Sequence, residues 1–136
     1  MANAYFEAGL RAFANGDIDW VNDDIRVTLV DAGVYTIDLV NHDFYDDLSG
    51  VVQDGAASIG TKTVTGAGVL DGVDYPFTNV TGATVELLIV SKYNATPGAR
   101  QLLFAIDTAG ANLPFTPNGS DVTIQWSSGA SKIAQL

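Results

Sequence analysis

His42 is the only histidine of the chain, and it lies in Asn41-His42-Asp43-Phe44, close to Asp46 and Asp47. A histidine beside carboxylates is a candidate general base or metal ligand. Zinc, however, is normally held by several nitrogen or sulfur ligands, and there is no second histidine and no cysteine. The simpler expectation is a loop histidine making one hydrogen bond. A denser acidic group occupies Asp17, Asp19, Asn22, Asp23 and Asp24, a composition that suits calcium. The EF-hand spacing fails there. Counting from Asp17, the fifth position is Val21, the sixth is Asn22 rather than glycine, and the twelfth is Thr28 rather than glutamate. Turn and cap hydrogen bonding explains both acidic groups without a metal. No metal site and no cofactor site is assigned.

Other catalytic patterns are equally thin. Glu7 and Glu86 are the only glutamates, and nothing selects a pair of aspartates at glycosidase spacing. There is no Gly-x-Ser-x-Gly elbow. Gly66-Ala67-Gly68 lacks the third glycine and the following helix of a phosphate-cradling loop. The expectation is that the protein is not an enzyme. Trp20, Tyr45, Tyr75, Tyr93 and Trp126 could form a stacking platform for sugars. Trp126 alternates in phase with Val122 and Ile124, which argues for a core position. Trp20 precedes the first long strand in a polar stretch and is a candidate interface aromatic.

The elements that would carry these residues are short. Ala4 to Ala14 has Phe6, Leu10 and Phe13 at helical spacing, with Asn3 as a possible N-cap, Glu7 in the first turns and Asn15-Gly16 as a stop. This helix either covers one end of a β core or acts as an arm docking on a neighbour. Ile25 to Val30 alternates as a half-buried strand. Val34 to Ile37 reads as an edge piece, and Asn41 to Leu48 as a loop with one helical turn. Ser58-Ile59, Lys62 to Thr65, Val69-Leu70 and Tyr75 to Val80 read as short strands between turn residues. Thr84 to Tyr93 is apolar on both faces and belongs centrally in a sheet, with Gln101 to Asp107 as its hairpin partner. Asp121 to Trp126 and Lys132 to Gln135 suggest a second hairpin joined by Ser127-Ser128-Gly129. The pattern predicts an all-β, mainly antiparallel protein, sandwich-like or jelly-roll-like, with a short N-terminal helix. A single β domain over 1–136 is expected, with 1–16 as the helix or arm and 17–136 as the sandwich core.

Composition narrows the partners. The formal net charge is −10, from sixteen acids against six bases. Phosphate backbones and anionic membrane surfaces would repel such a chain, so neither nucleic acid nor membrane is expected. The N-terminal residues lack the pattern of a signal peptide, and the expectation is folding in a cytoplasm. Asn79, Asn94 and Asn118 then read as turn residues rather than glycosylation sites.

The order of several segments carries a resemblance. Gly16-Asp17-Ile18-Asp19 follows the helix; then come Ile25-Arg26-Val27-Thr28-Leu29-Val30-Asp31, and Tyr35-Thr36-Ile37-Asp38-Leu39 with His42-Asp43-Phe44 and Asp46-Asp47. Lys62-Thr63-Val64, Leu113 to Gly119, Asp121 to Trp126 and Lys132-Ile133 complete it. In this order the chain resembles a family of small virion structural proteins of tailed phages. The resemblance implies a virion structural component, read here as a capsid decoration (cement) protein on the capsid exterior. It would bind the major capsid protein as a homo-oligomer, a trimer being favoured, after synthesis in the host cytoplasm. A tail, neck or head-fibre component and a carbohydrate-binding adsorption module are the alternatives. From placement, the expected partner contacts are Tyr5, Phe6 and Arg11 on the helix, Trp20 after it, and Asp43, Tyr45, Asp46 and Asp47 in the loop.

Overall fold

The computed structural model describes residues 3–107, 113–126 and 132–136. The chain forms β1 (Asn3–Tyr5), α1 (Glu7–Asn15), β2 (Ile25–Val30), β3 (Val51–Asp54), β4 (Thr63–Thr65), β5 (Val69–Asp71), β6 (Tyr75–Phe77), β7 (Leu87–Lys92), β8 (Leu102–Ile106), β9 (Val122–Ile124) and β10 (Ala134–Gln135). Among the described residues every strand pairing is antiparallel. A five-stranded sheet has the order β1-β8-β7-β2-β3, and two smaller sheets have the orders β10-β5-β4 and β6-β9. The protein is all-β and sandwich-like with one short N-terminal helix, as the sequence pattern predicts.

The large sheet is buried on both faces. Ile25, Val27 and Leu29 of β2, Leu88 and Val90 of β7, and Phe104 and Ile106 of β8 share one core with Leu70, Tyr75, Phe77, Ile124 and Ala134 of the small sheets. On the other face Val30, Leu87, Ile89, Leu102 and Ala105 lie under Phe6, Tyr35 and the partly buried Ile37, Leu39, Tyr45 and Leu48. β2 is therefore more buried than a half-buried strand. Its Thr28 is closed off along with Val27, Leu29 and Val30. Ser91 faces Leu102 while Val90 faces Phe104, so Leu103 is an extra residue in β8. That bulge sends Leu103 and Phe104 to the same core instead of opposite faces.

Several local expectations give way to long-range pairing. Asn3 is not a helix cap; it lies in β1, opposite Ile106, and Phe6 takes the N-cap position without a side-chain cap. Burial of Phe6 and pairing with β8 outweigh the capping preference. The helix does stop at Gly16, at φ 81, with cap N–H groups bonded to the Ala12 and Phe13 carbonyls. Val34 to Ile37 is a turn and cover segment rather than a strand, and Ser58-Ile59 is also irregular. β7 and β8 form the expected hairpin. The expected C-terminal hairpin does not form: β9 pairs with β6, Ile124 facing Tyr75, and β10 pairs with β5, Ala134 facing Leu70. Its connecting Ser127-Ser128-Gly129 lies outside the described residues.

Candidate functional site

The second face of the large sheet holds a buried cation. Arg100, 3% exposed, closes the 3-10 turn Pro97–Ala99 immediately before β8. Its guanidinium donates to both Asp54 oxygens at 2.7 and 2.9 Å and to Ser91 Oγ at 2.8 Å. Thr28 Oγ1 donates to Asp54 Oδ1 at 2.8 Å. β2, β3 and β7 supply these partners, because the pleat directs Thr28, Asp54 and Ser91 toward the same side. Burial alone would raise the Asp54 carboxyl. The Arg100 and Thr28 hydrogen bonds and the Arg100 charge outweigh it and hold the group below the ordinary carboxylate range. Aromatic rings extend the arrangement. The Arg100 guanidinium lies 4.1 Å from the Tyr45 ring centre and 5.1 Å from that of Tyr93, and Arg26 lies 3.6 Å from Tyr93 on its own account. Arg26 is in turn paired with Asp24 at 3.0 Å. Cations and rings alternate from Arg26 to Tyr45. Each of the three guanidinium nitrogens of Arg100 already has an acceptor, an arrangement that fixes geometry.

The acidic loop 43–47 stands beside this stack. The 3-10 turn Tyr45–Asp47 is held by the Asp47 carboxylate, whose Oδ2 accepts from the Asp43 N–H at 2.9 Å and the Phe44 N–H at 3.3 Å. Those bonds hold the Asp47 carboxyl below its ordinary value. The Asp43 carbonyl accepts from the Leu102 N–H and from Gln101 Nε2. Asp46 is exposed. His42 Nδ1 meets the Tyr35 hydroxyl at 2.7 Å, the single hydrogen bond expected of a loop histidine. Burial, with the charges of Asp47 and Asp38 adding to it, pushes the Tyr35 phenol up to about 12.

The other acidic group is organised as turn chemistry. Asp19 Oδ2 accepts from Asn22 Nδ2 at 2.8 Å, and Asp23 Oδ2 accepts from the Asp19 N–H at 2.8 Å. The Asn22 bonds hold the exposed Asp19 carboxyl low. Lys92 pairs with Asp23 at 3.2 Å, and Asp24 pairs with Arg26. Among the described residues no three acids or histidines converge on a common point.

Beside that turn is a recess of about 310 Å³, lined by Phe13, Ile18, Asp19, Trp20, Val21, Val64, Leu70 and Leu136. Its outer wall is exposed: Val21 at 47%, Val64 at 48% and Leu136 at 52%. A larger groove of about 390 Å³ runs between β3 and β6. The Gln53 side chain crosses it to the Thr78 carbonyl at 3.1 Å, and Tyr75 closes one end by donating to the Ala57 carbonyl.

The residues expected to touch a partner divide into three groups. Phe6, 0% exposed, and Trp20, 3% exposed, are core residues and offer no contact surface. The Trp20 ring packs on Phe104 and its Nε1–H donates to the Asp71 carbonyl at 3.1 Å. Apolar burial accounts for both: a polar stretch can still deliver one aromatic inward. Tyr5 is half-buried edge-on to Phe104, and burial raises its phenol to about 12. Arg11 is exposed, with only a long 3.9 Å pair to Glu7. Asp43, Tyr45, Asp46 and Asp47 are brought together by their turn, Tyr45 being committed to Arg100. The sugar platform does not assemble, because Trp20, Tyr75 and Trp126 are all buried. Sequence reasoning missed Arg100 and the recess. An arginine directly before the apolar Leu102–Ile106 strand, in a chain with only six basic residues, was the available signal for the first.

No protein-family model matches the chain, and no curated protein matches it significantly.

Proposed function

We propose that the protein is a non-catalytic virion structural protein of a tailed phage, acting as a capsid decoration protein on the major capsid protein lattice. The observation that carries this reading is how the polar side chains are used. The groups with the best chemical credentials, Arg100, Asp54, Asp47, Asp19 and His42, are bonded to one another, to backbone or to neighbouring side chains in arrangements that fix loops on a sheet. What remains is an acidic, rigid β scaffold whose work is contact. The segments on which the phage resemblance rests include two strands of this scaffold, β2 and β9.

The physical role follows from linkage. A protein that binds only the expanded shell stabilises it by mass action. Repetition of a modest contact over a lattice, as a trimer or another symmetric oligomer, adds strength through multivalency. The test is copy number by quantitative mass spectrometry on purified virions of the source phage. An abundance comparable to the major capsid protein supports decoration. A few copies per particle moves the protein to the neck, tail or fibres, and absence from the particle overturns the reading.

A further inference from the structure

We propose that the recess between α1, the 17–21 turn, β4 and Leu136 is a docking site for a protein segment that presents one large apolar side chain flanked by lysine or arginine. The proposal extends the virion reading, on which it rests only for the identity of the partner.

Apolar wall and size come first. Val21, Val64 and Leu136 are each about half exposed and share one concavity with the partly buried Phe13 and the buried Trp20. Isolated exposed apolar residues are ordinary, whereas these three gather round one concavity in which a single side chain can be seated. At about 310 Å³ the recess lies at the small end of ligand pockets, which run from about 300 to 1,000 Å³. It suits a side-chain anchor of the kind that dominates binding energy at interfaces.

Charge decides the occupant. Among the described residues Asp19 is the one acidic or basic side chain in the lining, and the neighbouring Asp17 is exposed. Hydrogen bonds from Asn22 keep Asp19 ionised. The nearby cations are engaged. Lys62 Nζ donates to Ser58 Oγ at 2.9 Å and to the Ile59 carbonyl at 3.0 Å, and Lys92 Nζ to the Asp17 carbonyl at 3.0 Å and to Asp23. Lys62 is bonded to neutral groups and its charge still acts on Asp19, but Asp17, Asp19, Asp23 and Asp24 outnumber Lys62, Lys92 and Arg26 around this turn, so the rim stays net negative. A second copy of the chain, itself at −10, would meet that field with more negative charge. A basic segment would be drawn in.

The experiment is an NMR titration of the full chain with two blocked peptides, Lys-Leu-Lys and Glu-Leu-Glu. The basic peptide is expected to shift the amides of Val21, Val64 and Leu136 saturably. It should bind roughly fivefold or more tightly than the acidic one, the size of one or two exposed charge pairs, and weaken with salt. The double variant Val21→Glu/Val64→Glu, at positions exposed enough to keep the fold, should lose the response while retaining a dispersed spectrum. Asp19→Asn should keep the apolar contact and lose most of the preference for the basic peptide. No shift at these residues, or equal shifts with both peptides, overturns the proposal. So does self-association in sedimentation that the double variant abolishes, which would assign the recess to a second copy. A second arm uses phage shells stripped of the protein. Wild-type binding lost in the double variant supports the site, and equal binding by both overturns it. Failure of the wild type to bind shells counts against the virion reading, while the peptides still decide the recess.

Discussion

Replacing Arg100 with methionine tests whether the buried cation holds the cover segment on the sheet. The substitution preserves an apolar stem but removes hydrogen bonds to Asp54 and Ser91 and the stacking on Tyr45. Removing one partner of a buried pair typically costs about 3–5 kcal/mol. Asp54 is 34% exposed and recovers part of its hydration, which favours the lower end. Loss of a desolvated cation–π contact adds about 1–2 kcal/mol. The expected total is about 4 kcal/mol, a large share of the roughly 5–15 kcal/mol that holds a protein folded. At about 3–5 °C per kcal/mol for a domain of this size, Tm should fall by about 12–20 °C. The assay is thermal and urea unfolding followed by circular dichroism, repeated across pH. In the wild type the Asp54 carboxyl titrates below its unfolded value, so its contribution is present above about pH 4 and is lost as pH falls. Without Arg100 only the Thr28 hydroxyl and the Gly55 N–H still oppose burial, so the folded carboxyl moves up and the stability it contributes above about pH 4 shrinks. The double variant Arg100→Met/Asp54→Leu, with neither charge, should recover most of the loss. A cost below about 1 kcal/mol, or the same pH slope in the single variant as in the wild type, would refute the reasoning.

Gly9→Ala sets two effects against each other. Alanine gains about 1 kcal/mol of helix propensity, but its Cβ would lie 2.7 Å from the Leu102 and Leu103 carbonyl oxygens. Backbone cannot yield cheaply, so a net loss of about 2 kcal/mol is expected in urea unfolding. Deleting residues 1–15 should abolish folding, because it removes β1 from the edge of β8 and the buried Phe6 and Ala12; a dispersed NMR spectrum from the truncated chain would instead make this segment an accessory arm. In alkali, Tyr5 and Tyr35 should ionise only near pH 12, against about 10 for an unfolded phenol. Their folded values are raised, so the associated stability is complete below pH 10 and is lost between pH 10 and 12. Tyr45 and Tyr75 are raised by burial as well, so absorbance at 295 nm would show most of the five tyrosines titrating late, Tyr5 and Tyr35 with unfolding.

What could be read from the sequence was set by short-range physics. The continuous apolar run Leu87–Val90 could only be a central strand, and the turn cluster after Tyr93 made its hairpin with β8 plain. Gly16 ended the helix because a left-handed residue was needed there. Trp126 was legible through alternation with Ile124 and Val122. The illegible parts depend on distant partners. Nothing near Asn3 announces Ile106, and nothing near Ile124 announces Tyr75. β3 was missed because Val51-Val52-Gln53-Asp54 is short and only two of its residues are apolar. Trp20 looked like a surface aromatic because its neighbours are polar, yet its ring reaches Phe104. The site suffered most. Local acidity drew notice to 43–47, while the Arg100 stack combines residues from β2, β3, β7 and two loops that share no sequence pattern.

The place of β1 in the sheet has a consequence for how the chain is made. Asn3 pairs with Ile106, so β1 has no partner until β8 has left the ribosome. At about 5–20 residues per second, the interval between these two positions is about 5–20 s. During that time Phe6 and the sheet-facing side of the helix have no surface to cover. Pairings of such long separation also slow folding, because loop closure must precede the contacts that stabilise it. A nascent chain of this protein is thus most vulnerable to chaperone capture or proteolysis at β1 and α1 before β8 emerges.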